Sequence, residues 1–146
     1  MTNVQIAFDA ARLPAYELEA RVGEPATPDG QTEVRLRGDG SFVATQRGGE
    51  EPLAAKQGVE ARYQLEREQV ERILRSATQF DWTDRFPPRP GIPDEPIVHW
   101  ALRTPEGHTV RTRMWLRDVE RGTLTGEVLS QLRQVLERAS DGRMYL

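Results

Sequence analysis

The sequence contains no cysteine. That excludes disulfides, zinc–thiolate sites and thiol nucleophiles. It also favours a reducing compartment, because small secreted domains usually carry bridges. No apolar run approaches the roughly 20 residues of a membrane-spanning helix. Met1-Thr2-Asn3-Val4 lacks the charged and then apolar start of a signal peptide. A cytoplasmic protein with no membrane attachment is therefore expected.

Histidine is scarce, with His99 and His108 alone. Their spacing does not reproduce the His-x-x-x-His pair of a helical metal site. No serine stands in a Gly-x-Ser-x-Gly elbow. Phosphate-binding turns are also missing: Gly48-Gly49 precedes the acids Glu50-Glu51, and Gly38-Asp39-Gly40 joins two strands instead of opening a helix. The expectation is a protein without enzymatic activity, cofactor or metal. The one catalytic alternative is a carboxylate- or metal-dependent hydrolase that brings together Asp81, Asp84, Asp94 or Glu95. Lysine is nearly absent: Lys56 is the only one among 20 basic residues. GC-rich coding explains such an arginine bias. Arg37-Gly38-Asp39 spells an adhesion tripeptide, but in a turn of a chain that is not expected to be secreted. Acidic residues number 23 and net charge is −3, a balance with no general attraction for nucleic acid.

What is present is alternation and helical periodicity. The length of 146 residues suits one domain, 1–146, in which 1–32 has the option of forming a partly separate extension. Val4, Ile6 and Phe8 suggest a short first strand. Tyr16, Leu18, Ala20 and Val22 alternate with polar residues, as do Val34 and Leu36, and Val59, Ala61, Tyr63 and Leu65. Read as a three-residue loop, Gly38-Asp39-Gly40 sets Val34 and Leu36 on one face with Phe42 and Ala44. The segments 24–30 and 47–58 read as loops.

Val70, Ile73, Leu74 and Ala77 form the apolar stripe of a helix over 66–78, with Phe80 and Trp82 packed beyond its end. Five prolines make 87–96 a stiff crossover. Strands 97–103 and 109–117 flank a type I turn, Thr104-Pro105-Glu106-Gly107. That turn puts Val98, Trp100, Leu102, Val110, Thr112 and Met114 on the core face. A last helix over 126–140 has Thr125 as its expected N-cap and Gly142 as its stop. The fold class is α+β, an antiparallel sheet of about five to seven strands with two helices on one face.

The opposite sheet face is left to solvent or a partner. His99, Arg103, Arg111, Arg113 and Trp115 share it. Cationic and aromatic groups in one row suit a protein interface better than single-stranded nucleic acid, given the acidic balance. These five are the candidate partner-binding residues. In the blander reading their arginines pair with Glu17, Glu33 or Glu60 across strands.

Gly38-Asp39-Gly40-Ser41-Phe42, the stretch Leu65 to Leu74, Pro88-Arg89-Pro90-Gly91-Ile92-Pro93-Asp94, the Trp100 to Met114 hairpin and the Val128 to Leu136 helix follow one another in order. This layout, over about Glu33 to Ala139, resembles the emfourin-type bacterial inhibitors of thermolysin-like metalloproteinases. The resemblance implies a non-catalytic, inhibitor-like protein whose partner is another protein. No inhibitory residues carry over from it. An immunity or accessory protein facing a bacterial toxin or defence system is the alternative partner class.

Overall fold

The alternating segments form six strands in the computed structural model, which describes residues 6–24, 30–48 and 59–146. They are β1 (Glu17–Gly23), β2 (Gln31–Arg37), β3 (Ser41–Arg47), β4 (Val59–Gln64), β5 (Ile97–Arg103) and β6 (Thr109–Trp115). They make one sheet in the order β4-β3-β2-β1-β5-β6, antiparallel at every junction. β1 lies mid-sheet between β2 and β5, so 17–23 is integral to the sheet, as are 31 and 32 at the start of β2.

The helices are α1 (Arg67–Thr78), α2 (Leu116–Arg121) and α3 (Thr123–Ser140). The α1 stripe of Val70, Ile73, Leu74 and Ala77 is buried, as are Val128, Leu129, Leu132, Val135 and Leu136 of α3. These stripes share a core with the inner sheet residues Leu18, Ala20, Val34, Leu36, Phe42, Val98, Trp100 and Leu102. Each large apolar side chain so buried contributes roughly 1.5–3 kcal/mol. Phe80 meets Trp100 edge-on at 5.0 Å, and Trp82 donates its indole N–H to the Ala77 carbonyl. The region beyond α1 therefore closes the core as its aromatic residues suggested.

Both hairpin registers agree with the sequence reading. Leu36 faces Phe42 and Val34 faces Ala44. Val98 faces Met114, Trp100 faces Thr112 and Leu102 faces Val110. Gly107 has a φ of +85° and donates its N–H to Thr104 O, as the type I turn requires.

Several expectations are corrected. Val110 and Met114 are only half-buried, because β6 is an edge strand and the helices cover it incompletely. Ile6 and Phe8 are not in a strand; a 3-10 turn follows at Ala10–Ala15, while Val4 lies outside the described residues. The second strand of the last hairpin stops at Trp115, not Arg117, and turns directly into α2. α3 starts three residues early, at Thr123, with Gly122 as its N-cap. Thr125 sits inside α3 and donates its hydroxyl to Val119 O at 2.9 Å, which ties α3 to α2. Gly126 permits that approach, since a Cβ there would meet the Glu120 carbonyl oxygen at 2.8 Å. The loop read at 47–58 lies mostly outside the described residues.

Candidate protein-docking face

Outward positions on the six strands hold eight arginines: Arg21, Arg35, Arg37, Arg47, Arg62, Arg103, Arg111 and Arg113. They hold four glutamates: Glu17, Glu19, Glu33 and Glu60. The face is cationic although the chain as a whole carries −3.

The glutamates are unevenly used. Arg35 gathers three of them, with Glu33 at 3.0 Å, Glu17 at 3.5 Å and Glu19 at 3.8 Å. Hydrogen bonding and these charges hold the Arg35 guanidinium above its ordinary pKa, against burial, which works the other way. Glu60 pairs with Arg62 at 2.6 Å. Arg21, Arg37 and Arg103 face Glu33 and Glu17 in register. Even so, no carboxylate among the described residues lies within salt-bridge distance of Arg21, Arg37, Arg47, Arg103 or Arg111. The cross-strand pairing expected of Arg103, Arg111 and Arg113 with Glu17, Glu33 or Glu60 is therefore not formed. Arg113 bonds Asp84 instead, and these glutamates serve Arg35 and Arg62, with Glu33 and Glu60 pairing inside their own strands. A shallow basin of about 330 Å³ opens over β2, β3 and β4. Arg35, Arg37, Arg47, Arg62, Glu33 and the half-buried Val43 line it, together with Ser41 and Thr45.

The five residues singled out from the sequence do share this face, at its β5–β6 end, but the structure treats them differently. The crossover folds over Trp115. Phe86 packs on the ring at 4.7 Å between centroids, the Arg89 guanidinium lies 5.8 Å from the ring centre, and the indole N–H donates to Arg89 O at 3.1 Å. Trp115 is thus covered by its own chain and is not an open anchor. Arg113 is engaged too, donating to Asp84 at 3.0 and 3.2 Å. His99 is half-buried between Arg21 and Arg113 in the register. Burial lowers its pKa, as does the charge of Arg21. Arg103 and Arg111 remain exposed.

The crossover is pinned by Arg89, which bonds Glu95 at 2.6 Å and Asp118 of α2 at 3.3 Å. Glu95 also accepts the Ile92 N–H. Of the carboxylates named for the catalytic alternative, Asp84 binds Arg113, Glu95 binds Arg89, Asp81 accepts the Thr83 N–H in a local turn, and Asp94 is exposed. Among the described residues no group of three His, Asp or Glu side chains is disposed to hold a metal ion. No helix of the described residues is long and apolar enough to cross a membrane.

Sequence reasoning missed Arg21, Arg37 and Arg47. Strand alternation already placed all three outward, but the unequal sharing of glutamates is a property of side chains on three strands at once. No protein-family model matches this chain, and no curated protein matches it either.

Proposed function

We propose that this chain is a non-catalytic protein-binding domain that docks an acidic protein surface on its outer sheet face. The observation that carries the reading is the arginine surplus there, with Arg21, Arg37, Arg47, Arg103 and Arg111 free of carboxylate partners among the described residues. Guanidinium groups bind carboxylates bidentately, and electrostatic complementarity of this kind steers association and selects partners.

Nucleic acid is a poorer occupant. Single-strand binding needs open rings for base stacking, and Trp115, the ring expected to supply it, lies under Phe86 and Arg89.

Two partner classes follow from the sequence reading, a bacterial metalloproteinase and a toxin. Affinity capture from a bacterial lysate, with the native chain and an Arg37→Glu/Arg111→Glu variant side by side, tests the docking reading. A protein retained by the native chain, lost with charge reversal and eluted by moderate salt is the expected result. Retention indifferent to charge reversal, or recovery of nucleic acid alone, sinks it. A thermolysin-like proteinase titrated with the chain then decides whether the partner is a protease.

A further inference from the structure

We propose that the basin over β2, β3 and β4 is the seat of an acidic peptide segment in extended conformation, whose carboxylates are taken up by its arginines. This deepens the docking reading and rests on it. The β5–β6 end of the face is partly spent on the chain's own crossover, through Arg113–Asp84 and the covered Trp115. The β2–β4 end has no described element over it.

The basin's composition points to a peptide. Arg37 and Arg47 have no carboxylate within salt-bridge distance among the described residues, and Arg62 shares only the exposed Glu60. Ser41 and Thr45 supply hydroxyls, and Val43 supplies a half-buried apolar floor. No aromatic ring lines the basin among the described residues, so it lacks the ring platform on which single-strand binders stack bases.

The spacing points to an extended segment. Arg47 stands opposite Gln31, six residues along β2 from Arg37. At 3.2–3.4 Å per strand residue the two arginines lie about 20 Å apart along the sheet. An extended chain of about six residues spans that distance and repeats its side chains on one side every second residue, the same repeat that sets Arg35 and Arg37 apart. A helix would need about twice as many residues.

The test is fluorescence anisotropy of a labelled octaglutamate peptide at low salt, with octalysine and an eight-nucleotide oligothymidylate in parallel. Saturable binding of octaglutamate is expected. Arg37→Ala/Arg47→Ala should weaken it at least fivefold. Arg103→Ala/Arg111→Ala removes equal charge from the same face outside the basin and should change it less than twofold. Circular dichroism melts confirm that each variant is folded.

Equal weakening by the two pairs means a diffuse field, which overturns the basin and leaves the docking reading standing. No octaglutamate binding also overturns the basin, while capture of a charge-sensitive protein partner by the native chain would still support docking. Preferential binding of the oligonucleotide overturns both.

Discussion

Gly91 lies against the indole of Trp115 so closely that a Cβ at position 91 would meet Cη2 at 2.5 Å and Cζ2 at 2.6 Å. The ring is held by its bond to Arg89 O and by Phe86, so it cannot swing clear as a flexible side chain would. Gly91→Ala should therefore destabilise the protein by about 1–3 kcal/mol, the usual cost of overpacking. The cost should be smaller when Trp115→Ala is already present, because the clash is then gone. Urea unfolding of the two single variants and the double variant measures this coupling, and simple additivity would contradict the contact.

Trp115→Ala itself should cost roughly 2 kcal/mol, less than the 3–5 kcal/mol of a fully buried tryptophan. The ring is half-buried and its partners are the crossover and the β6 edge. Unchanged stability in urea would mean that the ring is an open surface residue after all. Because the loss is structural, this variant is a poor probe of docking, and the arginines are better ones.

Glu95 has a side chain only 4% exposed. The bonds from Arg89 hold its carboxyl below the ordinary range, with the Ile92 N–H acting the same way and burial opposing them. A carboxylate whose folded-state pKa is depressed stabilises the fold above its unfolded pKa of about 4.3. That contribution disappears as pH falls through the lower folded value. The stability gap between the native chain and Glu95→Gln should therefore be widest near neutral pH and close on acidification below about pH 4. A gap constant from pH 7 to pH 3 would show that the Arg89–Glu95 pair does not depend on charge.

His99 should titrate below its ordinary value of about 6.5. Burial is the main cause, and Arg21 and Arg113 act with it against Glu24 and Asp84. Arg21→Ala should raise the value, read from the imidazole proton shifts in an NMR titration. Protonation of a base whose folded pKa is depressed favours the unfolded chain. This group's contribution to stability is thus complete above about pH 6.5 and declines as pH drops through the folded value. No upward movement in Arg21→Ala would place the arginine away from the imidazole.

The sequence alone determined what short-range geometry controls. The Gly38–Gly40 loop sets Val34 and Leu36 with Phe42 and Ala44, and the Thr104–Gly107 turn sets which of Trp100 and Trp115 enters the core, because strand side chains alternate strictly. The stripes of α1 and α3 were legible for the same reason, with a period of 3.6 in place of 2. The six residues of α2 were not. A single turn and a half with one buried residue, Val119, carries too little periodicity to separate from the end of a strand.

Tertiary structure alone decided the rest. That the crossover covers Trp115 depends on Arg89 bonding Glu95 within the proline-rich segment and Asp118 on a helix further along the chain at the same time. That one arginine takes three glutamates depends on β1 lying beside β2, where Glu17 and Glu19 come within reach of Arg35. Outward position is a property of one strand and can be read from alternation. Ion pairing acts over about 4 Å between strands, so strand order and register had to be in place before any arginine was paired or left over.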